Sequence, residues 1–194
     1  MSDPKMQVIF VKQTGHVLAA FNRTADDSKS KIEDVVGAGL PFRNMLIIDA
    51  LGAAAGGEFV VFPPEALDVA SVDFNEDTFL MPLNFVTSGS KVDQLGSVTL
   101  PVPTLTASQI TITVSLAVPD KTKVLAVVQQ VTPAPGQEPL RRVVEGEIAS
   151  GASNIALDLK SMPDKPPASI VPGKYDVLVL VAGRLRHFVR KDVP

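Results

Sequence analysis

Histidine is the scarcest chemistry-bearing residue in this 194-residue chain: there are two, His16 and His187, and there is no cysteine. Zinc takes four ligands in a structural site and three plus water in a catalytic one. Without thiolates, such a site would need both imidazoles, from opposite ends of the chain, together with carboxylates. No H-E-x-x-H pairing is present. Asp73-Phe74-Asn75-Glu76-Asp77 begins like a calcium loop, with oxygens at the first, third and fifth positions. The pattern then fails, because Thr78 stands where the sharp turn needs glycine and Asn84 where a bidentate carboxylate belongs. We read an acidic hairpin turn there. Gly37-Ala38-Gly39 lacks the third glycine and the Lys-Ser/Thr of a phosphate loop, and Pro41 blocks the helix that would hold the phosphate. No G-x-S-x-G occurs, and Ser28-x-x-Lys31 and Ser88-x-x-Lys91 fall in polar segments that open no long helix. Paired carboxylates such as Asp26-Asp27, or Glu145 and Glu147, could exchange protons, but on these segments they read as solvent-facing. The expectation is a protein that is not an enzyme, with no catalytic residues, no cofactor and no metal.

One cluster remains. Arg184, Arg186, His187, Arg190 and Lys191 crowd the C-terminal strand, with Arg141-Arg142 elsewhere. They read either as a docking surface for an acidic protein partner or as charges that guard an edge strand against aggregation. Nucleic acid is a poor fit, because the net charge is −3 and one aromatic, Phe188, interleaves the cluster. The charge is uneven. Residues 1–100 carry seven Lys/Arg and thirteen Asp/Glu, whereas residues 101–194 carry eleven and eight. Halves of opposite sign suit copies or partners that stack. The polar N-terminus has no apolar signal core, and Met45 to Ala55, the longest apolar run, is interrupted by Asp49 and too short to span a bilayer. We expect cytoplasmic synthesis, no membrane insertion, and a place in the cytoplasm or in a particle assembled there.

The elements that position these residues centre on Val171 to Val189. In it Tyr175, Val177, Val179 and Val181 share one strand face, and Asp176, Leu178, Leu180 and Ala182 the other. Two apolar faces predict a strand inside a covered sheet. Upstream, Met6 to Lys12 and His16 to Arg23 read as a hairpin about Gln13-Thr14-Gly15. Ser30-Lys31-Ile32-Glu33 has the capping-box pattern of a short helix ending at Gly37. Met45 to Ile48 and Glu58 to Phe62 read as strands, and Gly52 to Gly57 as a loop. Leu67 to Phe74 alternates as a strand, with Phe79 to Val86 its expected hairpin partner although Pro82 sits within it. Ser97 to Ser108, rich in Pro, Ser and Thr, reads as a boundary. Beyond it strands recur at Ile110–Val118, Val124–Val131, Leu140–Ile148, Asn154–Leu159, Tyr175–Ala182 and Leu185–Val189, the spacing of a β-sandwich or barrel.

At Pro172-Gly173-Lys174-Tyr175-Asp176-Val177 the chain resembles immunoglobulin and fibronectin type III sandwiches. In those a tyrosine early in the penultimate strand bonds to backbone a few residues upstream. The resemblance covers about the last 85 residues and concerns the fold only, since such sandwiches host many functions. The fold expectation is all-β: residues 1–100 a β-rich domain with one or two short helices, and residues 105–194 an immunoglobulin-like β-sandwich. The functional expectation is a structural or interaction protein, a β-rich subunit of a larger assembly of the phage-tail or capsid kind, homo- or hetero-oligomeric. The alternative is a ligand-binding module such as a carbohydrate-binding domain, which usually presents Trp or Tyr platforms. This chain has no Trp and one Tyr.

Overall fold

The computed structural model describes residues 5–22, 31–43, 59–88, 90–96, 103–133, 135–160, 169–184 and 186–194. These residues are built mainly of strands with two short helices, an all-β chain. The expected strand at Met45–Ile48 and the loop at Gly52–Gly57 lie outside the described residues, as does most of the expected boundary at 97–102.

The N-terminal hairpin is present, with β1 (Lys5–Val11) pairing antiparallel with β2 (Val17–Asn22) about a turn at Gly15. Gly15 has φ 76°, and a Cβ there would lie 2.8 Å from the Thr87 carbonyl oxygen. Both the left-handed conformation and the close approach therefore call for glycine. Helix α1 (Ile32–Val36) ends at Gly37 as expected. Its N-cap falls on Lys31, which makes no side-chain cap bond, so the capping-box reading is corrected: the helix begins one residue later than that pattern implies. Strands β3 (Leu40–Arg43) and β4 (Phe59–Phe62) form a two-stranded pair in which Pro41 lies opposite Val61.

The largest correction concerns residues 74–94. Strand β5 (Leu67–Asp73) pairs with β1 along its full length, not with the segment that follows it. That segment forms helix α2 (Glu76–Leu80), a 3₁₀ turn at Pro82–Asn84, and strand β6 (Phe85–Thr87), which pairs with β7 (Val92–Gln94). The reason is local. The Asn75 side chain accepts a 2.8 Å bond from the Thr78 amide, and Glu76 and Asp77 occupy the positive first turn. The residues that resembled half a calcium loop are thus a helix N-cap.

In the C-terminal half, β8 (Thr104–Leu105), β9 (Gln109–Thr113), β10 (Thr122–Gln130), β11 (Arg141–Ile148), β12 (Asn154–Asp158), β13 (Gly173–Val181) and β14 (His187–Val193) make two antiparallel sheets. Their orders are β11-β10-β13-β14 and β12-β9-β8. Ile110, Ile112 and Leu157 of the smaller sheet bury Val124, Ala126, Val128, Val177, Val179 and Val181 of the larger one. At Gly146 on β11 a Cβ would lie 2.6 Å from Leu157 and 2.8 Å from Ile155, so a glycine lets β12 close over the sheet.

The opposite face of the four-stranded sheet is also covered, as the apolar pattern of β13 predicts. Leu125, Val127, Leu178 and Leu180 share one buried cluster with Ile9, Val11, Leu18, Phe42, Val60, Phe62, Leu67 and Val69. A third cluster, with Met6, Val8, Val17, Ala70, Val72 and Phe85, closes the far side of β1. The four-stranded sheet is therefore the middle of three layers. No helix among the described residues is long and apolar enough to cross a membrane.

Candidate functional site

The basic cluster lies on and beside β14, the edge strand of its sheet, but its side chains do not share a face. Residues directly opposite each other in an antiparallel pair point the same way. His187 is opposite Val179 and Lys191 opposite Tyr175, on the side of the sandwich interior. Arg190 is opposite Asp176, on the side of the N-terminal half. Arg190 clamps Asp176 with two bonds, Nε to Oδ1 at 2.7 Å and Nη2 to Oδ2 at 3.1 Å. Arg186 donates from Nη1 to the Leu83 carbonyl at 3.2 Å, also in the N-terminal half. Burial pulls the Arg186 guanidinium below its ordinary range. His187 is half-buried, and burial, helped by the nearby Lys191 charge, pulls its pKa down. Its Nε2 is buried without a hydrogen-bond partner among the described residues.

The polar residues that matter most at this junction were not singled out by their types. Asp176 is a buried carboxylate in the middle of an apolar strand. Besides the Arg190 clamp, it accepts a 2.8 Å bond from the Phe59 amide. Gln129, also buried, accepts from the Val61 amide at 2.9 Å, and Arg141 Nη1 donates to the Val61 carbonyl at 3.4 Å. One edge of β4 pairs with β3, and the other is met by these three side chains of the four-stranded sheet. An edge strand is thereby closed without adding a strand, as buried backbone groups require. The available signal was weak: an Asp in line with Leu178 and Leu180, and a Gln in line with Leu125 and Val127.

His16 is likewise buried, at 2% exposure. Its Nδ1 lies 2.9 Å from the Thr14 hydroxyl and its Nε2 2.7 Å from the Arg184 carbonyl oxygen. Desolvation lowers its pKa to about 4, although the bond to Arg184 opposes the shift.

Tyr175 is fully buried, and its hydroxyl donates to the Val171 carbonyl at 2.7 Å, four residues upstream. This is the corner bond that the sequence pattern predicts. Burial pushes the phenol pKa up.

On the surface, Phe74, Phe79, Leu80 and Met81 form an exposed apolar run on and beside α2, with Leu80 at 65% and Met81 at 53% exposure. The Phe74 and Phe79 rings lie 6.3 Å apart, tilted. Glu76 and Asp77 sit exposed within the run, and Asp73 precedes it, paired with Lys5. That Lys5 bond holds the Asp73 carboxyl below the usual carboxylate range. Among the described residues no three His, Asp or Glu side chains come together to hold a metal ion. No family model matches the chain, and no curated protein matches it either.

Proposed function

We propose that this chain is a non-enzymatic structural or interaction protein, a β-rich subunit of a larger protein assembly of the phage-tail or capsid kind, with an immunoglobulin-like C-terminal sandwich. The observation that carries the reading is the exposed run Phe74, Phe79, Leu80 and Met81 with its acidic neighbours. Four large apolar side chains in one exposed stretch favour a protein contact. The opposite charge of the two halves favours ordered docking between subunits. Arg186 and Arg190 are engaged within the chain, so the α2 surface suits a subunit contact better than the basic strand does. The Tyr175 corner supports the immunoglobulin-like reading of the fold. The rival carbohydrate-binding reading has less to stand on, because the one tyrosine is buried and its hydroxyl bonded.

Solution mass by sedimentation, with copurifying proteins identified, tests the proposal. The expected result is an oligomer or a complex that dissociates when Leu80 and Met81 are both replaced by Asp. A stable, dilute monomer with no copurifying partner would overturn it, and a clear hit on a glycan array would favour the rival.

A further inference from the structure

His16 joins the two ends of the chain. The Arg184 carbonyl can only accept, so Nε2 carries the ring proton, and Nδ1 of the neutral ring accepts from the Thr14 hydroxyl. The same corner holds the Thr87 amide bond to the Gly15 carbonyl at 2.8 Å, a His16–Val86 bridge and a Gly96–Arg184 bridge. The charged residues on the elements around it are Lys12 on its own turn, Lys91 and Asp93 on the β6–β7 hairpin, and Arg184 and Arg186 in the β13–β14 connection. Of these, the Arg186 charge bears on the ring and opposes a second positive charge there. Among the described residues no ion pair involves His16. An imidazolium at this position would be buried beside a cation, and its protonated Nδ1 could no longer accept from Thr14.

We propose that His16 is an acid-sensitive latch: its neutral ring fastens the β13–β14 turn to the β1–β2 turn, and protonation opens this junction while the sandwich core stays closed. In the open form the ring is hydrated and takes up a proton near its ordinary value of 6.5, whereas the closed form resists to about 4. Over that window each unit of acidification multiplies the open-to-closed ratio by up to about 10. The latch is independent of any assembly.

Hydrogen exchange on the full chain from pH 7 to 4.5, corrected for the intrinsic pH dependence of exchange, tests it. Protection of the Gly15, Thr87 and Arg184 amides should fall by up to about 10-fold per pH unit below 6.5, while Ala126 and Val127 in β10 stay protected. His16→Gln can donate to the Arg184 carbonyl but cannot titrate, so it should abolish the fall. Arg186→Gln keeps His16, removes the repulsion and should raise the ring pKa read by NMR. It serves as the deciding variant if His16→Gln does not fold. Protection that ignores pH in the parent protein overturns the latch. So does the same fall in His16→Gln, which would place the titrating group elsewhere, or a ring pKa that Arg186→Gln leaves unmoved.

Discussion

The four-stranded sheet is buried on both faces, and the two contacts are built differently. Toward β9 and β12 it presents Val124, Ala126, Val128, Val177, Val179 and Val181, closed by Ile110, Ile112 and Leu157. Toward the N-terminal half it presents Leu125, Val127, Leu178 and Leu180, but with Asp176 and Gln129 in the same rows. The first contact joins two complete sheets whose backbone bonds are made within each sheet, so it is mainly apolar, with the buried Arg142 donating across it to the Leu159 carbonyl at 3.2 Å. The second meets a two-stranded pair with an open edge. Side-chain acceptors must reach that edge, and a histidine and two arginines complete the contact. The lesson is that a small sheet can be packed onto a larger one if the larger one carries buried polar groups for it. The junction then depends on the Asp176–Arg190 pair and on the neutral ring of His16.

Point variants separate the two contacts. The largest effect is expected in the sandwich. Tyr175→Ala removes a fully buried ring and should cost roughly 3–5 kcal/mol in urea denaturation, by analogy with other large aromatic deletions. Tyr175→Phe keeps the ring and loses the Val171 bond, costing about 1 kcal/mol.

At the junction, the pH response comes next. The folded pKa of His16, about 4, lies below the ordinary histidine value of 6.5. Between those values the unfolded chain binds a proton that the folded chain does not. Stability should therefore be full above pH 6.5 and fall as the pH drops toward 4, by up to about 3 kcal/mol. His187, on the sandwich side of the sheet, also has a lowered pKa and acts in the same direction. Denaturation midpoints in His16→Gln should lose most of this slope.

Asp176→Ala removes three accepted hydrogen bonds and should cost about 2 kcal/mol. It should also raise hydrogen exchange at Phe59 and Val61 before it affects β10. Equal loosening of β9 and β4 would show that the two contacts are not separable. The smallest stability effect, within about 0.5 kcal/mol, is expected for the exposed pair Leu80→Asp and Met81→Asp, whose readout is association.

The middle layer was legible because its pattern is unusual. A strand apolar on both faces has to be covered twice, and Val177 to Leu180 say so without any partner being known. The tyrosine corner was legible for a similar reason, since Pro172, Gly173 and Tyr175 lie within four residues and the bond it makes is local. Residues 79–86 were misread because a short apolar run suits strand or helix alike. Its decision lay in Asn75, Glu76 and Asp77, a capping sequence that also begins like a calcium loop. The junction residues were hidden by distance. Asp176 serves an amide 117 residues away, and His16 a carbonyl 168 residues away. Neither role leaves a mark in local spacing. The five basic residues near the C-terminus were legible as an edge-strand group but not as a divided one, because their neighbours on each face come from different halves.

Leu178→Ala in the full chain shows whether the N-terminal half buries the outer face of the four-stranded sheet. Leu178 lies on that face, opposite Phe188 on β14, and is fully buried. Urea denaturation should show a loss of roughly 2–5 kcal/mol, the cost of a buried leucine truncated to alanine. A loss under about 0.5 kcal/mol, the range of exposed substitutions, would mean that the face is open to water and that the three-layer account is wrong.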